Sequence, residues 1–286
     1  LTDFGLDIDL FNSKLSLTAD YYIKNTKDIL LGYNVPVETG IWTRPVMNLA
    51  KVRNTGLEMA VTYRDKIGDL SYSISGNIAT NHNEIINLAG SDNMVQSGGD
   101  LIRYILKEGE SIGSYYGLKT DGLYTQEEID AGHYYRYGRT PNAGDIKYVP
   151  QRKDVKWGED ITDDDRTIIG KDVPDFTYGV NINLQWKNFE LSAFGQGVSG
   201  TSVAFESEQV FAFMLNSNPR KYHLSRWNES NPNPRAACPR LYGGTYNDEY
   251  NKYFSDYELF DADYFRIKTI SLGYMLPKNI VTRWGL

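Results

Sequence analysis

The run FTYGVNINLQW at residues 176–186 decides the fold, because its apolar and polar side chains alternate without a break. Phe, Tyr, Val, Ile, Leu and Trp fall on one side, and Thr, Gly, Asn, Asn and Gln fall on the other. Alternation with a period of two is the pattern of a β-strand with two unlike faces. Lys187 and Asn188 interrupt the pattern and Phe189 resumes it, which predicts a β-hairpin.

The same alternation recurs along the chain and predicts seven strands in all. They cover residues 4–10, 15–24, 57–63, 70–78, 176–186, 189–196 and 264–276. In the last of them the apolar phase switches between Ile267 and Ile270, which indicates a β-bulge. The sequence therefore predicts an all-β, antiparallel chain.

The connections between these strands alternate strictly between short and long. The short ones are residues 12–14, 64–69 and 187–188, and the long ones are residues 25–50, 83–174 and 198–262. Outer-membrane barrels have this asymmetry, with tight periplasmic turns and long extracellular loops. A strand over 176–186 is about 33 Å long and, tilted by about 40°, rises about 25 Å, which is the height of the lipid-facing band. We therefore expect part of a transmembrane antiparallel β-barrel, with the short turns at one side and the long loops at the other.

Composition narrows the class of protein. The chain has 286 residues, a net charge of −7 and a mean hydropathy of −0.48. The acidic balance argues against nucleic-acid binding, and the lone Cys238 excludes an internal disulfide framework. The polar strand faces are rich in Asn, Ser, Thr and Gln, which suits a confined wet lumen. The alternative is a soluble β-domain whose apolar face packs on a second sheet.

Several stretches carry a family resemblance. Residues 172–200, DVPDFTYGVNINLQWKNFELSAFGQGVSG, resemble the signature hairpin of the SusC/RagA family of TonB-linked outer-membrane proteins of Bacteroidetes. Further stretches similar to this family lie at residues 113–129, 144–148, 161–170 and 263–277. The matches span nearly the whole chain in order and with family-like spacing.

The resemblance implies a 22-stranded barrel with an N-terminal plug, embedded in outer-membrane lipid and energised by TonB-ExbB-ExbD. It also implies a SusD-type surface lipoprotein that lids the barrel and helps to capture a glycan or a peptide. Residues 1–286 would then form about seven strands from the C-terminal half of the barrel. The plug, the early strands and the final strands would lie outside this chain.

Two other functions remain open at this point. One is a siderophore or vitamin receptor with the same barrel and no lid, and the other is a secreted carbohydrate-binding β-module. An enzyme is not expected, because no Ser-His-Asp order, phosphate loop or nucleophile elbow occurs. We therefore predict no catalytic residue and no cofactor.

The acidic stretch from Asp154 to Asp165 is the candidate metal loop. Its first and twelfth positions are acidic, as in a twelve-residue calcium loop, but Lys156 and Gly158 stand at the third and fifth. Because two ligand positions are lost, we expect no metal there. The alternative is a shifted site that uses Glu159 or Asp160.

Aromatic residues in the long connections are the candidate substrate-binding residues. Tyr and Trp rings stack on sugar faces and anchor peptides, so we expect contacts from Trp42, Tyr134, Tyr135 and Trp227. The alternative is that these rings pack locally and hold the large loops together.

Overall fold

The computed structural model describes residues 1–32, 37–40, 45–88, 93–98, 101–206, 209–213, 218–241 and 250–277. Contacts divide the chain into two compact units. The sheet unit comprises residues 1–90, 173–201 and 262–286, and the insert unit comprises residues 91–172 and 202–261. In the described ranges, no helix has both the length and the apolar character needed to cross a bilayer.

The described residues form sixteen strands and one short α-helix. The strands are β1 Thr2–Leu10, β2 Leu15–Gly32, β3 Val46–Ile67, β4 Leu70–Thr80, β5 His82–Asn87, β6 Asn93–Ser97, β7 Arg103–Lys107, β8 Ser114–Gly117, β9 Lys119–Leu123, β10 Ile146–Val149, β11 Thr167–Lys171, β12 Phe176–Trp186, β13 Phe189–Ser199, β14 Ser202–Ala204, β15 Leu259–Asp261 and β16 Tyr264–Tyr274. Helix α1 is Gln126–Asp130, and single 3-10 turns lie at Val37–Thr39, Asp163–Asp165, Lys221–Ser225, Tyr250–Lys252 and Asp256–Glu258.

The sheet unit is an antiparallel sheet with the strand order β1-β2-β3-β4-β12-β13-β16. Strand β5 pairs with the part of β3 that β4 leaves free, so that the described residues contribute eight strands. The seven predicted strands are all present, and the predicted all-β antiparallel fold is confirmed. Apart from β5, which lies between β4 and β12 in sequence, the strands follow one another along this path in sequence order.

Strand register places most apolar residues of the sheet on one face, with exceptions such as Phe194, which pairs with Asn181. One continuous row across the seven strands contains Leu10, Leu15, Tyr63, Ile74, Ile182, Ala193 and Ile270. The next row lies on the opposite face and begins with Asp9, Ser16, Thr62 and Ser75. The bulge predicted in the last strand is confirmed, because Phe194 pairs with Thr269 whereas Gly195 pairs with Ile267.

The three tight turns lie together at one end of the strands, which we call the turn edge of the sheet. The Arg64 amide donates to the Lys14 carbonyl at 2.7 Å, and the Lys187 amide donates to the Asp69 carbonyl at 3.4 Å. In an antiparallel sheet the other ends of the same strands lie at the opposite edge, so the longer connections leave the sheet there.

Two predicted connections are longer than the real ones. The turn predicted over 64–69 is only Gly68-Asp69, because β3 continues to Ile67, and Gly68 adopts a φ of +59° that suits glycine. The loop predicted over 25–50 was also wrong in extent, since β2 reaches Gly32 and β3 begins at Val46. Polar residues occur on both faces at these strand ends, so the alternation of apolar and polar residues does not indicate them.

The connection predicted over 83–174 was wrong at its start, since β5 belongs to the sheet. The rest of it and the connection predicted over 198–262 fold largely into the insert unit rather than into open loops. Its strands form a four-stranded sheet ordered β11-β8-β7-β6 and two separate pairs, β9 with β10 and β14 with β15. A core of buried side chains includes Tyr124, Tyr148 and Tyr250, each fully buried. The insert unit thus has its own hydrophobic core.

Candidate functional site

The two faces of the sheet unit differ in what they offer a partner. Many apolar side chains are exposed, including Val180 at 39%, Ile270 at 67% and Leu272 at 74%. Contiguous exposed apolar surface of this extent marks an interaction surface, and a lipid-facing barrel wall has this character. The opposite face carries Asn, Ser, Thr and Gln, as expected for a surface that contacts water.

Aromatic rings flank this apolar band at both edges of the sheet. At the edge with the tight turns, the ring of Phe189 lies 4.7 Å from that of Tyr274 and 6.3 Å from that of Trp186. Towards the other edge, the rings of Tyr178 and Phe265 stack 6.0 Å apart. Two aromatic belts around an apolar band are typical of outer-membrane barrels, because Tyr and Trp favour the membrane interface.

A cavity of about 350 Å³ lies on the sheet unit close to the turn edge. Hydroxyl and amide side chains dominate its lining, and Glu190 contributes a carboxylate. Its residues come from β4, β12, β13 and β16, so that the register of the four strands creates it. The polar lining offers hydrogen bonds to a polar ligand or to water.

In the insert unit, an aromatic platform consists of His133, Tyr135 and Trp157. The rings of Tyr135 and Trp157 stack 4.4 Å apart, and the ring of His133 lies 5.7 Å from that of Trp157. Trp157 is 51% exposed. Beside the platform, Arg136 and Asp160 form an exposed ion pair at 3.0 Å. A half-exposed ring with polar groups next to it is suited to stacking on a sugar or an aromatic side chain.

Two buried tyrosines hold the backbone beneath the platform. The Tyr135 amide donates to the Tyr124 hydroxyl at 3.0 Å, and the Tyr250 hydroxyl donates to the Tyr135 carbonyl at 2.9 Å. Burial raises the pKa of Tyr124 to about 12 and raises that of Tyr250 as well. Both hydroxyls therefore stay protonated near neutral pH, and the platform rests on a fixed support.

The structure places the four predicted aromatic residues in different environments. Tyr134 and Tyr135 are half-buried and pack against the core of the insert unit. Trp227 is only 8% exposed, and its ring lies so close to Gly144 that a side chain there would collide with it. Trp42 lies outside the described residues. Of the three that the structure describes, Tyr135 alone joins an exposed aromatic surface, through its stacking on Trp157.

The Asp154–Asp165 loop closes on an arginine. Asp165 is fully buried, and its carboxylate accepts from Arg152 Nη2 at 2.8 Å and from the Thr162 amide at 2.9 Å. It also accepts from the backbone amides of Gln151 and Arg152. Although burial raises its pKa, these hydrogen bonds outweigh burial and hold the pKa of Asp165 below its usual value. Asp154, by contrast, is exposed.

Comparison with known proteins shows which proteins the chain is similar to. No family model matches the chain. TonB-dependent receptor P3 of Formosa agariphila is 28% identical over 291 residues, which cover 99% of this chain and 28% of the receptor. TonB-dependent receptor SusC of Bacteroides thetaiotaomicron is 26% identical over 273 residues, which cover 94% of this chain and 25% of SusC. The chain thus spans about a quarter of the curated relatives that it matches.

Solved structures agree with this comparison at the level of the fold. The structure of the RagAB peptide transporter matches 97% of this chain and 29% of its own, with a TM-score of 0.74 and 22% identity. The RagAB peptide importer in its closed-closed state matches 98% of this chain and 29% of its own, with a TM-score of 0.74. The resemblance to SusC/RagA-type TonB-dependent receptors that the sequence predicts is confirmed.

Sequence reasoning missed the platform as a unit, although it named Tyr135. His133 and Trp157 are separated by 24 positions in a stretch without regular alternation, so no periodic signal joined them. In the sequence, these two residues share only an aromatic side chain and polar neighbours. In the folded chain, an isolated β-bridge between Arg136 and Asp160 brings the two segments together, and no sequence pattern indicates this bridge.

Proposed function

We propose that this chain is a section of the barrel of a TonB-dependent importer of the bacterial outer membrane. In this proposal, residues 1–286 belong to its C-terminal half, and the plug, the early strands and the final strands lie elsewhere in the protein. The importer binds a nutrient and moves it across the membrane without catalysing a reaction.

One observation carries this proposal. The strand register gathers most apolar side chains of the seven main strands on one exposed face, with the three tight turns at one edge. A soluble sheet would cover such a face, whereas a barrel wall presents it to lipid. Similarity over nearly the full chain to proteins named TonB-dependent receptors supports the same reading.

The proposed partners follow from the relatives. We propose a SusD-type surface lipoprotein as the lid, and TonB-ExbB-ExbD as the energy source acting through parts outside this chain. The nutrient would be a glycan or a peptide. The similarity to SusC and to the RagAB peptide transporter supports this pairing.

The two alternative functions fare differently. A siderophore or vitamin receptor without a lid shares the barrel, but the named relatives favour SusC-like transport. A secreted carbohydrate-binding module has little support, because its apolar face would have to be covered and here it is exposed.

Among the aromatic residues, Tyr135 is the best-supported candidate for ligand contact, since it stacks with the half-exposed Trp157. Trp227 would have to leave the core to touch a ligand. Contacts from Trp42, Tyr134 and Trp227 stay predictions.

The partner proposal can be tested with the full-length receptor, carrying an affinity tag, purified from its native outer membrane. We expect a surface lipoprotein to co-purify and to be encoded beside the receptor gene. Recovery of the receptor alone, with no lipoprotein gene as its neighbour, would favour the receptor without a lid.

The transport proposal is tested by growth on defined nutrients. A strain lacking the receptor should lose growth on one class of glycan or peptide and keep growth on its monomers. Trp157→Ala should weaken this growth, whereas Tyr274→Ala, in the aromatic belt at the turn edge, should not. Unchanged growth of the deletion strain on every oligomer tested would contradict import.

A further inference from the structure

The insert unit contains a second cavity, remote in sequence from the aromatic platform. Its volume is about 460 Å³, which is within the range of ligand pockets. The lining residues are Phe205, Gln209, Val210, Arg220, Tyr222, Ala237, Tyr257 and Phe260. Five of these eight side chains are aromatic or aliphatic with large apolar surfaces, so the walls are mainly apolar.

Hydrogen bonds within the insert unit hold the walls in place. The Tyr222 hydroxyl donates to the Gln209 carbonyl, and the Tyr257 hydroxyl donates to the Ala237 carbonyl at 3.1 Å. The ring of Phe205 lies 5.2 Å from that of Phe260. Because both hydroxyls already donate hydrogen bonds, the two tyrosines present their rings rather than their polar atoms to the cavity.

The rings at this cavity remain open to solvent. Phe205, Tyr222 and Phe260 are all exposed, although each is a large aromatic residue. Beneath them, Val210 is buried and forms the floor. His223 fixes this floor, since its Nε2 lies 2.9 Å from the Val210 carbonyl and its Nδ1 accepts from the Arg220 amide at 2.8 Å. The cavity is thus shaped before any ligand arrives.

Arg220 is the charged residue of the cavity lining. Its side chain is exposed, and no described carboxylate lies within ion-pair distance of it. The nearby Glu206 is engaged elsewhere, because its carboxylate accepts from the amides of Leu101 and Ile102. On a chain with a net charge of −7, an arginine at an apolar cavity favours an anionic ligand.

We propose that this cavity binds the free C-terminal residue of a polypeptide whose last side chain is apolar. The apolar side chain packs between Phe205, Phe260 and Val210, and the terminal carboxylate pairs with Arg220. The side-chain amide of Gln209 hydrogen-bonds the peptide group that precedes the terminal residue of the ligand. Each polar side chain that the cavity offers then has a partner on the ligand.

The alternative ligand with the same charge is a free acid such as a fatty or aryl carboxylate. Such a ligand would leave the Gln209 amide unused, and a long alkyl chain calls for a narrow tunnel rather than a wide-mouthed cavity. A peptide terminus satisfies the apolar walls, the cation and the amide together, so it is the occupant that the lining favours.

Binding can be measured by calorimetry on the full-length receptor in detergent. The probes are acetyl-Gly-Gly-Phe with a free carboxylate, the same peptide with an amidated terminus, and 3-phenylpropionate. We expect the free-acid peptide to bind about tenfold more tightly than either of the others, because the amide loses the charge-assisted pair with arginine and 3-phenylpropionate has no peptide group for Gln209. Arg220→Gln should bring the free acid down to the affinity of the amide.

Two further variants separate this site from indirect effects. Ala237→Trp should fill the cavity and abolish binding of both peptides, and Ala237 is exposed, so that folding should tolerate the change. Lys221→Gln is the matched control, since Lys221 is an exposed cation next to Arg220 that does not line the cavity. Equal affinity for acid and amide, no binding of either peptide, or 3-phenylpropionate binding as tightly as the peptide would each overturn the proposal.

Discussion

At the scale of single residues, the hydrogen bonds of Asp165 argue against a metal ion in the acidic loop. The guanidinium of Arg152 and three backbone amides already occupy both of its carboxylate oxygens. A calcium ion takes six to eight oxygen ligands and would have to displace these donors. A cation that is part of the chain thus stands where the ion would bind.

We therefore expect added calcium to leave the melting temperature of the full-length receptor unchanged. Asp165→Asn should destabilise the insert unit by about 2–3 kcal/mol, because it removes a charge-assisted pair with a buried partner. The exposed Asp154→Asn is the control and should be silent. A calcium-dependent rise in melting temperature that Asp165→Asn abolishes would refute this prediction.

Glu258 is a buried carboxyl group with a pH-dependent cost. One oxygen accepts from the amide and hydroxyl of Ser255, while the other has no hydrogen-bond partner among the described groups. Burial raises the pKa of Glu258 to about 8. Between about pH 4.5 and pH 8 the folded chain therefore binds more protons at this site than the unfolded chain, and stability falls as pH rises.

This dependence is measurable by hydrogen exchange of the segment around Glu258 in the full-length receptor. After correction for intrinsic exchange rates, protection should fall between pH 5.5 and pH 8.5. Glu258→Gln keeps the acceptor for Ser255 and should flatten the profile, whereas the exposed Glu229→Gln should leave it as in the parent chain. A flat profile in the parent chain would show that the carboxyl group is not protonated when folded.

At the scale of elements, β12 has two faces that differ in their tolerance of charge. Val180, Ile182 and Leu184 belong to the apolar face, and Asn181 and Asn183 to the polar one. Ile182→Arg should cost about 2–4 kcal/mol if the residue lies near the bilayer midplane, since arginine is strongly disfavoured there. Asn183→Ser should be almost neutral. Unfolding of the full-length receptor in lipid vesicles measures both, and equal costs would mean that the faces are assigned wrongly.

The seven main strands of the sheet unit could be predicted because each has one largely apolar and one largely polar face, whereas the short β5 could not. A one-residue slip would move every apolar side chain to the wrong face, so that pattern and register carry the same information. The phase switch near Lys268 was readable for the same reason, since a bulge changes which face a residue occupies.

The insert unit could not be predicted in this way. Its strands are three to five residues long, too short for alternation to stand out. Several strands of this unit also pair with strands that are distant in sequence: β11 pairs with β8, and β14 pairs with β15. Buried Tyr124, Tyr148 and Tyr250 looked like any other loop tyrosine, because a ring with a polar tip suits a core as well as a ligand site.

At the scale of the whole molecule, the common edge of the tight turns has a cellular consequence. If the sheet crosses the outer membrane, epitopes inserted after Ser13, Asp69 and Asn188 should all report the same side. An epitope inserted after Gly40, in the connection at the other end of β2, should report the opposite side. Antibody labelling of intact and permeabilised cells distinguishes the two, and mixed labelling among the three turns would refute this topology.

The insert unit is assembled from two excursions of the chain, residues 91–172 and 202–261, which share one core. Asp145 from the first is fully buried and pairs with Arg240 from the second at 2.7 Å, and it also accepts from Asn251 at 3.1 Å. Where two related receptors differ at either position, recombination that exchanges only one excursion would leave a buried charge without its partner, at a cost of about 3–5 kcal/mol. The two segments should therefore be inherited together, and chimeras that swap both should express at the outer membrane where single swaps fail. The Asp145–Arg240 pair would then link the inheritance of two segments that residues 173–201 separate in the chain.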